Sequence, residues 1–334
     1  MREEINVSYY PYSVGWAITN QCNLNCKHCN MSSGKKLKDE LTLDECCNVI
    51  DLLSNENVQK IMFSGGEPLI RQDFFDIVDY AISKGIFVSV TTNSLLLTPR
   101  MVEEQFYKFE LVRISLDGSN KETHEFLRNG TNIFDRTISN IKLLVANGID
   151  VAVVTCVSKL NIDELEEIAK LLKKLNVKKW FLPLLSPAGR GVNIKDQSLS
   201  PFQVKKFLLS INKIVQKYDI DARLDIPYAI LLPELSKNHT SFASCPAAIT
   251  EMMIFANGDV SPCCQIPIIG GNFKADDIKD VWKHSLIFSD FRNKNKIKGN
   301  CGRCEHLPYC GGCRANAYIK YGDYLEGDDL CWKS

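Results

Sequence analysis

Apolar and polar positions alternate in two rhythms along the first two thirds of the chain. Short β-rich runs occur at Val14–Thr19, Lys60–Ser64, Phe87–Thr92, Val112–Leu116, Val151–Val157 and Lys179–Leu184. The stretches between them carry the 3.6-residue spacing of amphipathic helices. Thr42 and Glu45 form a capping box ahead of Cys46, Val49, Ile50 and Leu53, which fall on one helical face. Asp73–Lys84 runs into Gly85, a helix stop, and Asn161–Leu175 and Pro201–Lys217 are further helices. Six strands alternating with helices predict an α/β fold with a parallel sheet, either open or curled into a barrel.

The rhythm changes near residue 230. Residues 231–244 read as a linker between a domain over 1–230 and a second one over 245–334. In the second, Met252–Phe255 and Val260–Cys263 flank Asn257-Gly258 and predict a hairpin closed by a type I′ turn. Asp277–Phe291 reads as one short helix. Beyond Lys296 the chain is rich in Cys and Gly, with too little apolar periodicity to fold without metal.

Composition narrows the function classes. The chain has 334 residues, with Lys plus Arg 40 and Asp plus Glu 40, so the formal net charge is zero. Nothing in that balance favours nucleic acid or a membrane surface as a partner. No apolar run suits a bilayer span and no signal-peptide pattern opens the chain, which predicts a cytoplasmic protein. The 14 Cys are the outlier. In a reducing compartment they read as metal or cluster ligands rather than disulfides.

Cys22, Cys26 and Cys29 follow the first strand at spacings that let three thiolates converge from one loop. Three ligands on a four-iron cluster leave one iron open to chelate a substrate's amino and carboxylate groups. A zinc site completed by His28 is the competing reading of the run alone. Gly65-Gly66-Glu67-Pro68 follows the second strand; two glycines allow close backbone approach and a carboxylate suits an ammonium. Thr92-Asn93-Ser94, Ser115-Leu-Asp117-Gly118 and Arg128-Asn129-Gly130 follow the third and fourth strands. Every motif thus falls on the carboxyl edge of a parallel sheet, where α/β folds bind ligands.

These motifs resemble the radical S-adenosylmethionine (radical SAM) superfamily, whose signature C-x3-C-x2-C is matched in full. His28 stands where an aromatic is common, and Ser94 where Gly is common. The resemblance implies a partial (β/α)6 barrel over roughly the first 225 residues. It implies that Gly65, Gly66, Glu67 and Pro68 meet the methionine amino group. Asn93, Ser115, Asp117 and Arg128 would complete the S-adenosylmethionine site. It further implies reductive cleavage to a 5′-deoxyadenosyl radical, which abstracts a hydrogen from substrate.

At the other end, Cys245-x12-Gly258-x4-Cys263, then Cys301-x2-Cys304-x5-Cys310-x2-Cys313 and a late Cys331 resemble the SPASM extension. The last internal gap is one residue short. The resemblance implies three [4Fe-4S] clusters in all. Cys245, Cys263 and Cys313 would hold an inner auxiliary one, and Cys301, Cys304, Cys310 and Cys331 an outer one. The inner cluster then has an open iron or takes Cys264, which an extended strand would turn to the opposite face. Cys46 is expected in the core, Cys47 is incidental, and Cys156 is packed or, facing the lumen, a hydrogen donor.

Radical SAM proteins with this extension most often modify ribosomally made peptides, by cross-linking, oxidation or epimerisation. A peptide is therefore the first expectation for substrate. The C-terminal run also looks like enzymes of alternative haem and haem d1 synthesis and like the maturase of the peptide cofactor mycofactocin, which makes tetrapyrrole propionate decarboxylation the second, with Arg190 a candidate for the propionates. Only 21 residues precede Cys22, too few for a leader-binding domain there. A flavodoxin or ferredoxin would supply electrons. A colourless zinc-binding adaptor is the reading from another class.

Overall fold

The computed structural model describes residues 10–232, 235, 240–242 and 244–333. Eight strands follow in chain order: β1 (Ser13–Thr19), β2 (Lys60–Gly65), β3 (Phe87–Thr92), β4 (Leu111–Ser115), β5 (Val151–Val154), β6 (Lys179–Phe181), β7 (Asp221–Leu224) and β8 (Thr240–Phe242). Each pairs in parallel with the next. The sheet curls. A flat sheet would set β2 and β6 about 19 Å apart, yet the Arg113 guanidinium of β4 touches Met62 of β2 and Phe181 of β6.

The predicted strands are all present, with shifted ends. β5 stops early because the Asp117 carboxylate accepts the Cys156 amide at 2.8 Å, which takes that amide out of the ladder. β7 and β8 add to the expected six, and β8 lies inside the segment read as a linker. On the other side of β1 come β9 (Glu251–Ile254), β10 (Asp259–Ser261) and β11 (Gly271–Asn272), giving one sheet of 11 strands. β9 runs parallel to β1, with Trp16 opposite Ile254. The β9–β10 turn is not type I′. Gly258 donates to the Phe255 carbonyl at 2.9 Å and alone takes a left-handed φ, +91°, so a type I turn is followed by a glycine bulge.

The expected capping box of Thr42 with Glu45 closes ahead of Leu43–Asn55, and the structure adds a second, Ser200 with Gln203, ahead of Pro201–Tyr218. Cys46, Val49, Ile50 and Leu53 are buried together, which places Cys46 in the core. The helix expected over Asp277–Phe291 is two, Ile278–His284 and Leu286–Arg292, broken where Ser285 is extended at ψ 135°. Trp16, Phe63 and Phe74 run as a chain of tilted and edge-to-face rings from the sheet into the helical layer, with ring centres 5.9 and 5.5 Å apart. Among the described residues no helix is long and apolar enough to cross a membrane.

Candidate active site

The loops that leave the strand ends are bound to one another through backbone groups. Gly66 donates to the Thr19 carbonyl and Glu67 to the Gln21 carbonyl, both at 2.8 Å. A Cβ on Gly66 would sit 2.0 Å from the Gln21 oxygen, so only glycine lets the β2 loop lie against the cysteine loop. Arg190 clamps the same loop from the β6 side. Its Nε donates to the Cys26 carbonyl at 2.9 Å and its Nη1 to the Ser33 carbonyl at 2.7 Å. The barrel-mouth cation suggested for propionates therefore holds the cysteine loop.

Between these loops lies a cavity of about 230 Å³ whose wall includes Cys22, Cys26 and Cys29 together with Gly65, Gly66 and Asn93. Ser115 faces it from the end of β4, Cys156 from just beyond β5, and Arg128 from the end of the helix Lys121–Arg128 that follows β4. Three of the expected residues do not reach it. Glu67 and Pro68 are turned inward; Glu67 is fully buried and accepts from Thr92 Oγ1 at 2.7 Å, the Asn93 amide at 2.8 Å and the Leu69 amide at 3.2 Å. Its carboxylate is thus committed to the β3 loop, not free for an ammonium. Asp117 is also fully buried and pairs with Arg128 Nε at 2.6 Å and His28 Nε2 at 3.4 Å. Asn93 Nδ2 donates to Asn23 Oδ1 at 2.7 Å, tying the third motif to the first.

Residues that the sequence did not single out complete the wall. Gln265 comes from the C-terminal domain, directly after Cys263-Cys264, and Asn30 directly follows Cys29. Adjacency to a cysteine was the one signal that could have found them.

Burial raises the Cys22 thiol to about 11 and the Cys26 thiol upward, against the pull of Arg128, whose Nη1 is 3.8 Å from Cys26 Sγ. Thiols desolvated as Cys22 and Cys26 are need a cationic centre to ionise, which is what a cluster provides. Burial holds His28 near pKa 4, neutral and turned to Asp117 rather than to the thiols. Among the described residues no three His, Cys, Asp or Glu side chains converge on a point for one metal ion. Three thiols on one cavity wall match the three-thiolate donor set of a four-iron cluster with one open iron.

The C-terminal thiols fall into two sets. Cys313 feels the charge of Cys245, and Cys263 that of Cys313. Cys310 feels Cys301 and Cys304, and Cys331 feels Cys310 and Cys301. The shortened gap before Cys313 is spanned by Gly311 and Gly312, both left-handed at φ +85° and +70°. Asp328 braces both sets: its amide donates to Cys301 Sγ at 3.3 Å and its carboxylate accepts the Cys313 amide at 2.7 Å. Cys264 departs from its expected geometry. β10 ends at Ser261, so Cys264 lies in a turn; its thiol hydrogen-bonds Cys263 and accepts from Asn30 Nδ2 at 3.5 Å.

Known proteins share this plan. The radical SAM superfamily model matches residues 16–172, and the SPASM model, an iron–sulfur cluster-binding domain, matches residues 245–305. An AdoMet-dependent heme synthase of Methanosarcina barkeri is 30% identical over 96% of both chains. The mycofactocin maturase MftC of Mycolicibacterium smegmatis is 30% identical over 96% of this chain and 82% of its own. Among solved structures, Streptococcus suis SuiB bound to S-adenosylmethionine superimposes with a TM-score of 0.81, covering 98% of this chain and 79% of SuiB at 18% identity, a likeness of fold. With both halves matched and a relative of that identity covered almost end to end, the chain belongs to the radical SAM superfamily as an enzyme carrying a C-terminal SPASM domain.

Proposed function

We propose that Cys22, Cys26 and Cys29 hold the cluster on which S-adenosylmethionine is cleaved, and that the product radical abstracts hydrogen from a tetrapyrrole or peptide. The observation that carries this is the meeting of all three thiols with Gly65, Gly66, Asn93, Ser115 and Arg128 around one cavity. When bound, a four-iron cluster there supplies the electron that splits the sulfonium. The chain's own part is positional. Gly65 and Gly66 offer backbone to the methionine amino group. Asn93 and Ser115 face the rest of the nucleoside, and Arg128 offsets the Cys26 thiolate. Glu67 and Asp117 act behind the wall by fixing the β3 loop and Arg128.

Two auxiliary clusters on the inner and outer Cys sets would bring the total to three, with iron-sulfur reductants such as ferredoxin, or flavodoxin, as electron donors. Cys264, beside Cys263, is placed to close the inner one. For substrate, the end-to-end match with heme synthases supports a tetrapyrrole first. The maturases, which continue beyond the aligned region, support a peptide second.

Reduced, anaerobically reconstituted enzyme is expected to release 5′-deoxyadenosine and to carry on the order of 12 irons. Cys22→Ala should abolish the release while leaving the auxiliary iron. Retained cleavage in that variant would end the proposal, as would a colourless protein containing zinc. Substrate is assigned by which class, tetrapyrrole or peptide, raises the release above the uncoupled background.

A further inference from the structure

Arg113 sits mid-strand in β4 on the lumen face. In register it stands beside Thr91 of β3, and it lies two residues before Ser115; both neighbours line the cavity. Two residues of strand span about 7 Å, so the guanidinium belongs to the layer directly under the cavity floor. It rests against the Met62 sulfur, and its Cζ is 4.4 Å from the Phe181 ring centre. Arg223 of β7 approaches the same ring at 5.7 Å, but that side chain is 45% exposed and pairs with Asp225 at 3.1 Å.

Arg113 has no such counter-ion within ion-pair distance among the described residues. Its Nε is buried without a hydrogen-bond partner. Asp225 and Glu251 act on it only at longer range, and Arg223 opposes its charge. Desolvation lowers its pKa to about 10, which still leaves it cationic at neutral pH. Arg113 as a whole is half-buried, so water offsets part of its charge, but its Nε is shut off from both solvent and partner. A thioether and a ring cushion it but neutralise nothing.

We propose that Arg113 is the substrate anchor of this enzyme and binds a substrate carboxylate lowered into the lumen beneath the cavity. The planar guanidinium fits a carboxylate through two parallel hydrogen bonds, with Nε supplying the free donor. Anchoring the carboxylate there sets the carbons next to it at the cavity floor. The inference rests on the radical SAM reading above and adds the substrate's chemical class. A tetrapyrrole propionate and a peptide carboxylate share that chemistry.

Binding to the reconstituted enzyme is measured for two acids, iron coproporphyrin and a pool of synthetic pentapeptides with free C-termini. Their methyl esters and C-terminal amides serve as the neutral partners. One acid is expected to bind well and its neutral partner weakly. Arg113→Met should weaken that acid by roughly 10- to 100-fold and leave the neutral partner unchanged, with Arg113→Lys in between. The acid that responds names the source. Equal binding of acid and neutral partner to the parent enzyme overturns the proposal, and so does an Arg113→Met variant that binds the acid like the parent. Uncoupled deoxyadenosine release is measured on the parent enzyme beside the binding: its absence fails the radical reading, whereas release without acid-selective binding fails the anchor alone.

Discussion

At the residue scale, the cysteine spacings were legible because thiolates on one loop must lie close in sequence to reach one centre. The direction in which a buried side chain points was not. Glu67 looked like an ammonium ligand, yet three donors inside the fold consume it. Glu67→Gln places an amide N–H against one of those donors and should cost roughly 1–3 kcal/mol, read as a lowered thermal midpoint. An unchanged midpoint would show that the β3 loop does not depend on the carboxylate. His124 offers a pH signature. It accepts the Asp117 amide at 3.2 Å, and burial first, then Arg128, hold its pKa near 4, below the ordinary 6.5. Between those values the unfolded chain takes up a proton that the folded chain does not. Stability is therefore full above the unfolded value and falls as pH drops toward 4, by up to about 2 kcal/mol between pH 7 and 5. His124→Gln keeps an acceptor but cannot titrate. Its urea midpoint should fall less than the parent's over that interval; parallel loss would exclude His124 as the source.

At the scale of elements, strands with strong β-branched runs and helices with capping boxes were readable from local pattern. β7 and β8 were not. They are 4 and 3 residues long, and β7 alternates exposed with buried, so neither offers a run that outweighs turn residues nearby. Asn257-Gly258 named a hairpin correctly but not its turn, since only the glycine adopts positive φ. The loops depend on glycine to different degrees. Gly66→Ala would drive a methyl into the Gln21 carbonyl, whereas a Cβ on Gly148, at φ +73°, meets nothing within 4 Å. Gly148→Ala should therefore cost only about 1 kcal/mol of backbone strain. Gly66→Ala should cost several times that and reduce cluster iron. Similar urea midpoints for the two variants would mean that the β2 loop has room it does not show.

At the scale of the molecule, the two cysteine-bearing ends were legible as two groups of ligands, but the sheet that joins them was not. Periodicity says nothing about which strand pairs with which, and β9 crosses back to lie beside β1 over Ser13–Trp16. A fragment ending at residue 230 would bare the β1 edge and with it the backbone that β9 satisfies, so it should aggregate or melt early. A soluble fragment with native-like circular dichroism would contradict this. The ladder runs unbroken from β11 to β8, and Asn30 beside the first cysteine loop donates to Cys264 Sγ at 3.5 Å. The seam between the two cysteine regions is therefore stitched by backbone as well as side chains, and a cut in the β9 ladder should disturb iron at both ends together.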